Sequence, residues 1–203
     1  MSQQRFVLFD LGGVVINWHM EWMKEEVSRL YGIPLQSVRE AFSKHLSMLD
    51  TGSVNEHTFW RLVGKSTNNV KLQNVSNSLW TDIFQRQAKP DQDVLDIVKD
   101  LKKQNTNLGI LSNIEYGTHQ ILEGWGILDD FDYKFLSYMI GYSKPDPLVY
   151  QHVLQNLQIP KERLLFIDDR QENVDASIKA GIDAILFDSG KKLKEQLVEK
   201  DVI

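Results

Sequence analysis

Residues 5–17, RFVLFDLGGVVIN, constrain the fold of this chain more than any other stretch. Residues 6–9 are wholly apolar, too few for a helix and free of breakers, so they read as a strand buried on both faces. The run ends on Asp10, and Gly12 and Gly13 follow at once. A carboxylate at the C-terminal end of a buried strand, beside a glycine turn, stands where open α/β sheets place their ligands. Turn Asp and Gly also occur for purely structural reasons, so this stretch needs support from the rest of the chain.

That support comes from a change of rhythm. Residues 18–89 are helical in pattern and carry no strand signal. Met23, Val27, Leu30 and Tyr31 recur at helical spacing and stop at Gly32-Ile33-Pro34. Val38, Phe42 and Leu49 continue to a turn at Asp50-Thr51-Gly52-Ser53. Phe59, Leu62 and Val63 mark a third helix, and Leu79, Ile83 and Phe84 a fourth, with polar residues 65–71 as a connecting loop. This is an inserted helical bundle. From Pro90 onward short strand segments at residues 108–111, 134–136, 164–167 and 184–187 alternate with helical patterns. Such alternation predicts βαβ units and a parallel sheet, an α/β fold. Right-handed crossovers place all the strand C-termini on one edge.

Four polar groups fall at that edge: Asp10, Ser112-Asn113, Lys144 and Asp168-Asp169. Three carboxylates brought together repel unless a cation joins them, and a hard divalent ion such as Mg²⁺ suits oxygen ligands. Lys144 and the Asn113 amide add donors for an anion. A metal and a lysine facing a nucleophilic carboxylate suit phosphoryl transfer, in which charge spreads over several oxygens.

FDLGGV, LSN, SKPDP and FIDDRQEN resemble, in order, the four motifs of the haloacid dehalogenase superfamily, in its branch with a helical cap inserted after the first motif. The chain looks most like sugar-phosphate phosphatases with a DLG-x-V first motif, and more distantly like the phosphatase domain of soluble epoxide hydrolases. The resemblance implies a Rossmann-like, doubly wound parallel sheet formed by residues 1–17 and 90–203, with residues 18–89 as the cap. It implies Asp10 as the nucleophile, forming an aspartyl-phosphate that water hydrolyses. Ser112 and Asn113 would hold the phosphoryl oxygens, and Lys144 would neutralise charge on Asp10 and the phosphate. Asp10, the backbone carbonyl of Gly12, Asp169 and Asp168, the last directly or from behind, would hold Mg²⁺.

Phosphatases of this superfamily mostly carry a second Asp two residues after the nucleophile, as general acid and base; here that position is Gly12. The lost proton donation is typically worth about 10²–10⁴-fold. His19 and His119 are weak candidates to replace it, while His45, His57 and His152 read as surface. Asn173, at i+4 from Asp169, reads equally as a site residue or as an ordinary first-turn residue. The tryptophans read mostly as core, with Trp18, at the join of insert and sheet, a candidate to stack on substrate.

The expected function is hydrolysis of a small phosphate ester. A non-catalytic protein that binds a phosphorylated metabolite is the alternative that Gly12 suggests. A haloacid dehalogenase, which uses no metal, would have little use for the further carboxylates. A net charge of −5 gives no basic footprint for nucleic acid. No apolar run approaches the roughly 18 residues of a membrane span, and the start MSQQRF lacks a signal-peptide pattern. The absence of cysteine fits a reducing compartment, so the expectation is a cytoplasmic monomer or homodimer.

Overall fold

A computed structural model describes residues 5–75 and 78–203. Residues 1–4 and 76–77, which the sequence pattern gives to sheet and insert, lie outside the described residues. Strand β1 (Phe6–Phe9) is followed by the short β2 (Ile16–Asn17). Five helices come next: α1 (Met20–Tyr31), α2 (Leu35–Asp50), α3 (Glu56–Ser66), α4 (Val70–Gln73) and α5 (Leu79–Gln87). The chain returns through β3 (Lys89–Pro90) and then alternates: α6 (Gln92–Lys103), β4 (Asn107–Ser112), α7 (Tyr116–Gly124), β5 (Tyr133–Leu136), α8 (Ser137–Ile140) and α9 (Pro147–Leu157). It ends with β6 (Leu164–Asp168), α10 (Gln171–Lys179), β7 (Asp183–Leu186) and α11 (Gly190–Glu199).

The longer strands form one sheet in the order β5-β4-β1-β6-β7, with every neighbouring pair parallel. The central strand explains its own composition. Val7 and Phe9 point into one apolar cluster, shared with α6, α7 and the insert. Phe6 and Leu8 point into another, with Tyr150, Val153 and Phe166 on the opposite face. A strand with period two and both faces covered has to be apolar throughout. Phe9 is level with Ile110 of β4 and Ile167 of β6, so Asp10, Ser112 and Asp168 emerge together at one edge of the sheet.

The insert is tied at its base. β2 and β3 pair antiparallel, Ile16 with Pro90 and Asn17 with Lys89. Two-residue strands are too short to leave a periodic trace, which is why the sequence gives no strand signal there. Within the insert, Phe42, Phe59, Trp60 and Trp80 form an aromatic cluster, with Phe42 edge-on to Phe59 at a centroid distance of 5.2 Å and stacked on Trp80. Helix α1 stops, as its glycine predicts, at Gly32 in the left-handed conformation.

Some expectations need correction. Residues 65–71 are not a simple loop: α3 runs through Ser66, and Asn69 caps the short α4 by accepting from Leu72 N–H at 2.9 Å. His45 is buried rather than on the surface, with Nε2 2.9 Å from Ser66 Oγ. Trp125 is exposed at the surface and stacks on Phe84, and Val198 of α11 is exposed while Leu193 and Leu197 are buried.

The turn after α2 presses on the sheet layer. Gly52 has φ +70°, and a Cβ there would stand 2.7 Å from the Tyr138 carbonyl oxygen of α8. Both facts exclude a side chain. Gly52→Ala is therefore expected to cost about 1–2 kcal/mol from backbone strain alone, measured by urea denaturation, with faster proteolysis of this turn as the local sign. An unchanged midpoint would show that the turn does not bear on α8.

Candidate active site

Asp10 leaves β1 with its N–H donating to the Ile167 carbonyl at 2.9 Å, so its position is fixed by the sheet itself. Its Oδ1 accepts from Leu11 N–H at 2.7 Å and lies 2.9 Å from Lys144 Nζ. The same ammonium donates to Asp168 Oδ2 at 2.6 Å and rests over the Phe166 ring. All three side chains are buried. An ammonium at the centre of a protein is tolerable only when such partners surround it.

Lys144 sits on a loop, and the loop is held by Asn113. The Asn113 amide donates to the Lys144 carbonyl and accepts from the Lys144 N–H, both at 2.8 Å. That reciprocal pair commits the Asn113 side chain to the protein. Asp168 is similarly committed: besides Lys144, it accepts from Arg170 N–H and from the Asn173 amide, each at 2.9 Å. Asn173 is buried, and its Oδ1 has no partner among the described residues, so it is a member of this cluster rather than an ordinary first-turn residue.

Asp169 stands beside the glycine turn. Gly13 has φ +83°, and a Cβ there would fall 2.2 Å from Asp169 Oδ2, so only glycine lets the carboxylate approach. Gly12 is different: its Cβ would meet nothing closer than Trp18 at 3.5 Å, an ordinary contact. Carboxylate oxygens of Asp10, Asp168 and Asp169 lie within 4.8 Å of one another. This all-oxygen donor set beside an orphaned amide oxygen fits a hard divalent cation.

The charges shape one another. Burial pushes Asp10 up to about 7; Lys144 opposes this, Asp168 adds to it, and the Ser112 hydroxyl opposes it. Burial would raise Asp168 too, but Lys144, the Arg170 N–H and the Asn173 amide hold it below the usual carboxylate range. Lys144 stays raised because Asp10 and Asp168 outweigh its burial. Burial and the Asp168 charge raise Asp169.

Asp10, Gly12, Trp18, Ser112, Asn113, Lys144 and Asp169 line one cleft, with Asp168 beneath it. His19 reaches the cleft wall, whereas His119 bonds the Tyr138 hydroxyl at 2.8 Å and lines no part of it. Trp18 is buried edge-on against Trp22 and Phe84. An adjoining recess is mostly apolar, walled by Trp18, Trp80, Phe84, Ile114 and Leu122.

The sequence singles out the Asp50–Ser53 turn as a loop that sets specificity but not the burial of its acid, and the buried Glu115 escapes it altogether. Asp50, at the end of α2, lines both compartments, and burial with the nearby Glu115 charge pushes it up to about 7. Its signal was present: Asp50 continues the stripe Val38, Phe42, Leu46 at every fourth residue, an acid on an apolar face. Glu115 caps α7 by accepting from Thr118 N–H at 2.9 Å, and burial raises it to about 7.

A family model for haloacid dehalogenase-like hydrolases matches residues 7–187. A phosphatase of Mycobacterium tuberculosis is 23% identical over 197 residues, 95% of this chain and 91% of that one. A D-ribitol-5-phosphate phosphatase of Bacteroides thetaiotaomicron is 21% identical, covering 94% and 95%. The crystal structure of a haloacid dehalogenase family enzyme from Bacteroides thetaiotaomicron, in complex with magnesium and inorganic phosphate, superposes with a TM-score of 0.74 at 21% identity. That match covers 93% of this chain and 96% of the other.

The raised acids have a consequence for stability. Asp50 goes from an ordinary 3.8 to about 7 on folding, so between those values the folded chain holds a proton that the unfolded chain has released. Stability therefore falls as pH rises through that window, by at most about 4 kcal/mol at ~1.4 kcal/mol per unit. In EDTA, Asp50→Asn is expected to flatten the decline in melting temperature between about pH 4 and about pH 7. Parallel curves for variant and wild type would contradict the burial of this acid.

Proposed function

The chain belongs to the haloacid dehalogenase-like hydrolase family, and on that footing we propose that it is a Mg²⁺-dependent phosphatase of a small phosphorylated metabolite, with a sugar phosphate favoured. The observation that carries this reading is the buried Lys144, 2.9 Å from Asp10, beside three clustered carboxylates. It is a site built to offset both a carboxylate nucleophile and added negative charge. The relatives named as phosphatases support it, and the ribitol phosphate relative favours a polyol or sugar ester.

Asp10 would attack phosphorus through Oδ2, since Lys144 and Leu11 N–H both hold Oδ1. The resulting aspartyl-phosphate is then hydrolysed by water. Asp10, Asp169 and the Gly12 carbonyl would hold Mg²⁺, which when bound offsets charge on the transferring oxygens. Asp168 contributes from behind, by fixing Lys144 and Asn173. Ser112 would hold a phosphoryl oxygen through its hydroxyl, and Asn113 through its main chain. Helices α1–α5, residues 18–89 of the chain, would act as a cap that excludes water from the cleft, with Trp18 against the leaving group. A dehalogenase fits less well, because it uses no metal and would have little use for Asp168 and Asp169 beside Asp10.

Phosphate release from p-nitrophenyl phosphate and a panel of sugar phosphates tests this reading. Release should require Mg²⁺, stop in EDTA, and be abolished in Asp10→Asn. A folded wild-type protein that binds Mg²⁺ and a phosphorylated ligand, yet releases nothing, would make it a binder rather than an enzyme.

A further inference from the structure

A phosphate ester seated on Asp10 divides between the two compartments. Its phosphoryl group would lie among Lys144, Ser112 and Asp169, which line the cleft, and its leaving group would enter the apolar recess. The oxygen that joins them must sit where the compartments meet. Six residues line both: Gly12, Trp18, Met20, Asp50, Ser112 and Asn113. Asp50 is the one side chain of the six that is a carboxylic acid.

Its surroundings leave it free to act. Asp50 is only 9% exposed, and no hydrogen bond from a described residue reaches its carboxyl. A buried acid without a partner is costly unless something else requires it. The turn that follows packs on α8 at Gly52, and Asp50 lines the cleft at the sheet edge.

We propose that Asp50 is the general acid and base of the reaction, supplying from α2 the proton that Gly12 cannot. This rests on the phosphatase reading. As Asp10 Oδ2 bonds to phosphorus, the phosphorus–oxygen bond of the ester breaks and its electron pair stays on the leaving oxygen. That oxygen takes the Asp50 proton and departs as an alcohol, leaving Asp50 ionised. Asp50 then takes a proton from the water that attacks the aspartyl-phosphate. Hydrogen phosphate leaves, Asp10 returns to its carboxylate and Asp50 is again protonated.

The groups facing Asp50 suit both halves of that cycle. Burial and Glu115 favour its protonated form, while Arg170 and Lys144 oppose them, and the balance near neutrality lets it give and retake a proton.

The test is kcat/KM, which reports steps through formation of the aspartyl-phosphate, on p-nitrophenyl, phenyl and 4-methoxyphenyl phosphate. These share a ring shape and differ in leaving-group basicity. Asp50→Asn should lose little on p-nitrophenyl phosphate and about 10²-fold or more on the two basic leaving groups. Asp50→Glu, which keeps the acid, should recover part of that loss. Loss that is uniform across the series, or absent, would overturn the role of Asp50 while the phosphatase reading stands. Wild-type protein releasing phosphate from none of these esters and from no member of the sugar-phosphate panel would overturn that reading, and this proposal with it.

Discussion

The ammonium of Lys144, buried between Asp10 and Asp168, is the interaction on which the rest of the site depends. Removing one partner of such a buried cluster generally costs about 3–5 kcal/mol, because the charges left behind have neither water nor a counter-ion. A protein that only needed stability would be better served by apolar side chains of the same volume. The surrounding structure spends further groups on holding the lysine in place. Asn113 grips its backbone on both sides, at the Lys144 N–H and carbonyl, and Asn173 and Arg170 N–H fix the second carboxylate. The consequence is a carboxylate, Asp10, whose position and charge are set in advance by the sheet and the lysine together.

The parallel sheet makes this possible with little local invention. Because Phe9, Ile110 and Ile167 are level, three strands deliver polar residues to one edge within a few ångströms. The glycine turn then admits Asp169, which no other residue at position 13 would allow. The helical insert supplies what the sheet edge lacks, an apolar wall and one buried acid. Its two ends are joined by the β2–β3 ribbon, and its far turn rests on α8.

Much of this is legible in the sequence, for reasons that can be named. β1 and β6 are buried on both faces, so they appear as unbroken apolar runs, each ending in Asp. Gly32, Gly126 and Gly181 all adopt positive φ where helical patterns stop, as the residue type requires. What the sequence conceals is contact between distant segments. Asn113 looks like an anion donor beside Ser112, and only the structure shows its amide spent on Lys144. Asp50 sits in DTGS, a turn by every local rule, yet its place at the end of the apolar stripe of α2 buries it. Glu115, buried beside Thr118, Trp80 and the recess, likewise carries no local signal of its burial.

The central claim is that Asp10 carries the phosphoryl group covalently. The most direct measurement is rapid acid quench during turnover of a released sugar phosphate, followed by peptide mapping by mass spectrometry. The account predicts a phosphoryl adduct on the peptide containing Asp10, forming and decaying at rates consistent with turnover. Turnover with no adduct at any time, or with the adduct on another residue, would contradict it.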